Sequence, residues 1–200
     1  MTSHFLYGIC VAALVSLLGC AVNPREASPD SIAQSVKASV RVVGQDSEWR
    51  GPVLQVRHYR TLFYGYDSVD YWLVARKSPT QSDLYELLIR ADYGGELRHY
   101  DTVKFADGSN RPTINRQHNT ERCQFFNNLV YACLFVDQVS VELSQAELVT
   151  AKAKGLGLTL SSGMQDYESI DLPAQYLQGF LLGIEKKGRA TVLPDLSIDS

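Results

Sequence analysis

Three histidines stand beyond the first twenty residues, His58, His99 and His118, and none is spaced to act with a neighbour. A zinc site written locally needs ligands a helical turn or a short loop apart, as in H-x-x-x-H or C-x-x-C. No such pair occurs around these residues. The G-x-S-x-G turn that exposes a serine nucleophile is missing, as is the G-x-x-x-x-G-K-[ST] phosphate loop. Gly155-Leu156-Gly157 follows a helical stretch instead of opening one, the wrong context for a phosphate. Asp67 with Asp70, or Glu168 with Asp171, could do acid–base work in a glycosidase-like cleft. At 20% charged residues such pairs arise by chance, and a solvated face is the simpler reading. His99 (ELRHYDTVKF) and His118 (NRQHNTER) read as surface residues. No catalytic set, no metal site and no cofactor is expected from these patterns.

Two other features could carry function. Cys123 and Cys133 enclose nine residues with Asn127-Asn128 near the middle. Two short strands around that Asn-rich turn would set the cysteines opposite one another, and closing so small a loop contributes about 2–3 kcal/mol. The spacing is not that of a redox-active C-x-x-C pair, so a structural disulfide is expected. The stretch Tyr59 to Trp72 (YRTLFYGYDSVDYW) holds six aromatics around Gly65 and Asp67. Tyr64, Tyr66, Tyr71 and Trp72 could form a partner-binding or glycan-stacking surface, since aromatics with few charges suit interface cores. The competing reading is two strands joined through a bend, with the rings in the core. A net charge of −3 gives no long-range attraction for nucleic acid, which excludes it as an expected partner.

From Phe5 to Gly19 the chain is apolar and uncharged (FLYGICVAALVSLLG), shorter than the roughly 20 residues that span a bilayer. It ends in Leu17-Leu18-Gly19-Cys20, which resembles the lipobox of bacterial lipoproteins. The resemblance implies diacylglyceryl transfer to the Cys20 thiol, cleavage after Gly19 and acylation of the freed amine. Two or more buried acyl chains anchor stably, at about 0.8 kcal/mol per methylene. Ala21 in the position after the cysteine points to the outer membrane, facing the periplasm. One departure from the pattern is the opening MTSHFLYG, where His4 stands in place of the usual Lys or Arg. Cys10 would leave with the signal segment and Cys20 would carry lipid, so Cys123 and Cys133 remain as a pair in an oxidising compartment.

The elements that must position these residues follow from periodicity. Residues 1–19 read as a signal peptide, 20–30 as a lipidated cysteine and tether, 31–187 as one globular domain, and 188–200 as a polar tail. Ser31 to Val43 is ambiguous between helix and strand. Val53–His58, Tyr71–Arg76, Tyr85–Ala91 and Leu97–Phe105 read as strands, with turns at Lys77–Thr80, Gly94-Gly95 and Asp107–Asn110. Val139, Val141 and Leu143 alternate on one buried face. Ser144-Gln145-Ala146-Glu147 is a capping box opening a helix to about Lys154, stopped by Gly155. Leu156 to Leu160 and Tyr167 to Leu172 read as a hairpin. Pro173 opens a last helix with Leu177, Phe180, Leu181 and Ile184 on one face. The expected class is α+β, a largely antiparallel sheet with the two C-terminal helices on one face. A β-sandwich with peripheral helices is the alternative.

The late pattern, a cysteine pair, Val139–Leu148, Gly155–Leu160 and Leu172–Leu181, resembles uncharacterised envelope lipoproteins of Gram-negative bacteria. That resemblance implies no activity. The expected function is a lipid-anchored envelope protein with a non-enzymatic binding or scaffolding role towards a protein partner. The alternatives are an envelope enzyme acting on peptidoglycan or polysaccharide, and a small-ligand carrier.

Overall fold

The computed structural model describes residues 23–41, 46–61, 65–78, 81–126, 129–163 and 165–190. Cys20, the whole of the expected signal segment, Tyr64 and the last ten residues lie outside them, and Tyr66 is described only as a strand residue. The architecture is mainly antiparallel sheet with three helices. In chain order the elements are α1 (Pro29–Ser35), β1 (Lys37–Arg41), β2 (Asp46–Arg50), β3 (Leu54–Thr61), β4 (Gly65–Ser78) and β5 (Gln81–Gly95). They continue as β6 (Thr102–Phe105), β7 (Asn110–Pro112), β8 (Ile114–Phe126), β9 (Leu129–Leu143), α2 (Gln145–Ala151), β10 (Leu156–Ser162), β11 (Gln165–Leu172) and α3 (Ala174–Ala190). Among the described residues no helix is long and apolar enough to cross a membrane.

The strands form two sheets, where the first expectation was a single sheet and the alternative a β-sandwich. Seven strands make the larger, in the order β1-β2-β4-β5-β9-β8, with β3 also paired to β4. β3 takes the first half of β4 (Tyr71 back to Gly65) and β2 the second half (Val74 to Lys77), so both share one edge of this long strand. The smaller sheet runs β11-β10-β6-β7. The hairpin Leu156–Leu172 forms as its alternation predicts, but β10 finds its second neighbour in β6 rather than in the main sheet. The expected strand from Leu97 shrinks to Thr102–Phe105. Arg98 is 3% exposed and His99 has φ +45°, so the chain must leave extended geometry to bury that arginine.

One core serves both sheets. Tyr71, Leu73, Leu87, Ile89, Val139 and Val141 from the larger meet Val103, Leu158, Leu160, Ile170 and Leu172 from the smaller, with Leu148 of α2 and Tyr176, Leu177 and Phe180 of α3. Burying each such side chain contributes about 1.5–3 kcal/mol. The Tyr176 hydroxyl donates to Pro52 O (2.8 Å) and accepts from Leu73 N–H (3.3 Å), which satisfies its polar tip in a fully buried site.

The ends of the domain differ from expectation. Within the segment read as tether, Ala27 is buried and Ser28 caps α1 through the amide of Ser31, with Pro29 in the first turn. The Ser-Pro-Asp run is a helix start as well as a linker composition. Ser31–Val43 is neither helix nor strand throughout: α1 ends at Ser35 and β1 begins at Lys37. At the other end α3 runs past Gly188 to Ala190. Lys186 pairs with Asp30 at 2.9 Å and Lys187 Nζ donates to the carbonyls of Gln34 and Val36, so contacts with α1 and the residue after it hold α3 just before the expected tail.

The capping box at α2 forms as written: Ser144 Oγ accepts from Glu147 N–H (3.2 Å) and Glu147 accepts from Ser144 N–H (2.7 Å). The helix stops three residues earlier than predicted, and Gly155 (φ +86°) ends the turn after it. Arg111 also bonds Glu147, and these partners hold its carboxyl down at about 2, from an ordinary value of 4.5. Because the folded value lies below the unfolded one, this contribution is complete above about pH 4.5 and vanishes as pH falls towards 2. Glu147→Gln is therefore expected to lower the urea midpoint at pH 7 and to match wild type near pH 2. An equal deficit at both pH values would remove the charge from the explanation.

Candidate functional site

The densest group of buried ionisable residues lies at one end of the core, where the β5–β6 connection passes between the sheets. Three strands deliver its carboxylates by the same device. Asp67 precedes the inward-facing Val69, Tyr71 and Leu73 of β4, Asp137 precedes Val139 and Val141 of β9, and Glu168 precedes Ile170 and Leu172 of β11. Alternation carries each acid onto the buried face, where all three are at most 4% exposed.

Arg98 is the hub. Its guanidinium meets Asp67 through Nη2, Glu168 through Nη1 at 3.2 Å and the Tyr100 hydroxyl at 2.9 Å. Its Cζ lies 4.3 Å from the centroid of the Tyr93 ring. Asp67 also accepts from Gly94 N–H at 3.2 Å, and the Arg98 amide donates to the Tyr93 hydroxyl at 3.2 Å. One arginine thus joins β4, β5 and β11 across the two sheets. Burial by itself would lower its proton affinity, but the bonds to Asp67 and Tyr100 and the charge of Asp67 outweigh that and raise it. It stays a cation.

Two histidines border the cluster. His58 on β3 places Nε2 3.0 Å from Glu168 Oε2. His118 on β8 meets Asp137 through Nδ1, and Asp137 accepts from the Tyr93 hydroxyl at 2.6 Å through its other oxygen. Burial first, then that bond to Asp137, pushes the Tyr93 hydroxyl well above its usual range, so Tyr93 remains a neutral donor. His118 stacks on Phe135 with ring centroids 6.0 Å apart, and His99 lies 6.5 Å from it. A buried carboxylate that fixes one imidazole nitrogen orients the other, the geometry used to hold a general base or a metal-binding imidazole. Among the described residues no group of three or more His, Cys, Asp or Glu is arranged to hold a metal.

The sequence pairings divide here. Asp67 and Glu168 come together through Arg98, while their sequence partners go elsewhere: Asp70 accepts from Gln55 at 2.6 Å and Asp171 is exposed beside Arg25. His118 and His99 are exposed, as expected, and His58 and His118 each meet a buried acid from the surface. Arg98, Tyr93 and Asp137 were not legible as a group, and Asp67 and Glu168, expected on a solvated face, are buried because they stand in phase with the inward residues of β4 and β11.

The expected aromatic surface also divides. Tyr71 is fully buried, with its hydroxyl donating to Asp171 O at 2.9 Å, so it is core and offers nothing to a partner. Its neighbour Trp72 points to the opposite face, half-buried, with the Arg50 guanidinium 5.8 Å from its ring centroid. Strand alternation forces this split, because adjacent residues cannot share a face. Cys123 and Cys133 lie opposite one another in the β8–β9 register, with their sulfurs 2.10 Å apart.

No family model matches the chain, and neither a curated protein nor a solved structure does.

Proposed function

We propose that this protein is held in the cell envelope by lipid on Cys20, facing the periplasm at the outer membrane, and there binds a protein partner without catalysing a reaction. The observation that carries the binding role is the Trp72–Arg50 pair on the outer face of β4, two residue types that dominate binding energy when a partner covers them. The same face carries Arg76 and Arg116, both bonded to the buried Glu86, with Arg76 also donating to Glu48 at 2.9 Å. Such pre-paired arginines present rigid, oriented donors at little further entropic cost. The reading takes α2 and α3 as standing together on the opposite face, in keeping with the bond from Gln178 to Lys152 O just beyond α2. It also takes the buried charges around Arg98 as spent on joining the sheets. The pair Cys123–Cys133 suits an oxidising compartment.

The test is cross-linking in intact cells followed by affinity purification, comparing wild type, Cys20→Ser and Trp72→Ala. Wild type is expected to carry lipid and to capture one discrete partner. Cys20→Ser should lose both, and Trp72→Ala should stay lipidated and lose capture about tenfold or more. Absence of lipid on wild type would refute the anchor. Equal capture by Trp72→Ala would remove this face from the binding role.

A further inference from the structure

The fold takes hold of the chain sooner than its composition suggests. The amides of Glu26 and Ala27 both donate to Asn23 O at 3.0 Å, and Ala27 is buried. The Arg25 carbonyl accepts from Gln175 Nε2 at 2.5 Å, and the Arg25 guanidinium donates to the Tyr71 hydroxyl and stands 3.9 Å from Asp171. From Asn23 onwards the segment is therefore fastened to β4, to the end of β11 and to α3. Only Ala21 and Val22 separate Asn23 from Cys20. Three peptide units span at most about 11 Å, whatever path they take.

A domain held so closely to a lipid-bearing residue cannot stand clear of the bilayer, and the surface around Asn23 is the part that must meet it. Two observations describe that surface. A cleft of about 230 Å³ is lined by Pro24, Ala27, Ser31, Ile32, Ser35 and Pro52, none of them ionisable. Nothing in this lining carries a charge that would have to lose its water against lipid. Next to Pro52, Val53 is 48% exposed, the most of any large hydrophobic among the described residues. A single exposed valine is ordinary on a protein surface. This one adjoins an uncharged cleft at the point where the anchor joins the fold.

We infer that the domain rests on the bilayer surface through this edge, with Pro24, Pro52 and Val53 at the headgroup boundary. The inference rests on the lipid anchor proposed above and not on the protein partner.

The experiment places a tryptophan at the edge and asks whether lipid reaches it. In a Trp72→Phe background the remaining native indole, Trp49, is 4% exposed and shielded. Val53→Trp is made in that background, and so is Leu134→Trp as the distant probe. Leu134 lies three strands across and five residues along from Leu54, about 20 Å away by strand spacing. Each mature protein is purified from membranes, weighed to read the lipid on Cys20, and reconstituted in vesicles of phosphatidylethanolamine and phosphatidylglycerol with or without brominated acyl chains. Brominated lipid should quench Val53→Trp about twofold or more, as a side chain at the headgroup boundary requires, and leave Leu134→Trp nearly unchanged. Ser35→Trp, on the α1 side of the cleft, carries the same test should the Val53 variant misfold. If the mass shows no lipid, the anchor reading falls, and the same probes are read on chain coupled through the Cys20 thiol to a maleimide phospholipid. Quenching there upholds the edge as the surface that meets a bilayer. The inference is overturned if folded Val53→Trp and Ser35→Trp are not quenched in tethered protein, or if Leu134→Trp is quenched equally.

Discussion

Replacing Arg98 by methionine is expected to cost about 3–5 kcal/mol of stability, the penalty for breaking a buried ion pair from one side. The guanidinium is 3% exposed and meets Asp67 and Glu168, themselves 1% and 3% exposed. Methionine fills much of the volume but supplies no donor, so two buried carboxylates and the Tyr100 hydroxyl each lose a hydrogen bond. For a domain of this size the loss corresponds to a melting temperature lower by roughly 10 °C or more. Arg90→Met is the control: Arg90 bonds Asp92 on its own strand at the surface, and its removal should cost less than about 1 kcal/mol. Urea unfolding of both variants decides the matter. If Arg98→Met falls within the cost of Arg90→Met, the cluster does not join the sheets. A double variant with Asp67→Asn should recover part of the loss, because it removes one of the buried charges that the arginine meets.

Gly179→Ala should destabilise the protein by about 1–3 kcal/mol, the usual penalty of overpacking, even though alanine favours helix by about 1 kcal/mol. A Cβ on Gly179 would lie 2.5 Å from Ile32 Cβ and 2.6 Å from Pro29 O. Gly183, one turn on, would bring its Cβ to 2.7 Å from Val36 Cγ2 and 3.0 Å from Ala33 O. These glycines let α1 lie against α3, and part of the obstruction is α1 backbone, which cannot rotate away. Gly188→Ala provides the opposite sign. Its Cβ would make an ordinary 3.9 Å contact with Trp49, so the helix-propensity gain should show as added stability. Thermal melts give the signs, and amide exchange over residues 23–36 should rise selectively in Gly179→Ala. Equal stability of Gly179→Ala and Gly188→Ala would mean that α1 does not depend on the close approach.

Local chemistry was legible wherever one element settles the outcome by itself. The capping box at Ser144, the hairpin from Leu156 to Leu172, the inward alternation of Val139, Val141 and Leu143, and the helix face of Leu177 and Phe180 all follow from neighbouring residues. The facing of Cys123 and Cys133 belongs with them, because the symmetry of a hairpin sets it. Other features were harder because they depend on what arrives from far along the chain. Ser28–Asp30 has the composition of a linker, and it becomes a helix start because Gly179 and Gly183 leave room for Ile32 and Val36.

By itself, then, the amino-acid sequence determined a largely antiparallel sheet, the positions of most strands and the start of α2. Periodicity and caps act over a few residues, and nothing distant can easily reverse them. The tertiary structure alone decided that Asp67 and Glu168 share one arginine, although 101 positions separate them in the chain. It also decided that Tyr71 belongs to the core while Trp72 faces outward, and that β10 pairs with β6 in a second sheet. A buried charge has no local signature for its partner. Only the folded chain brings Arg98 close enough to make the inward-facing acids of β4 and β11 compatible with an apolar core.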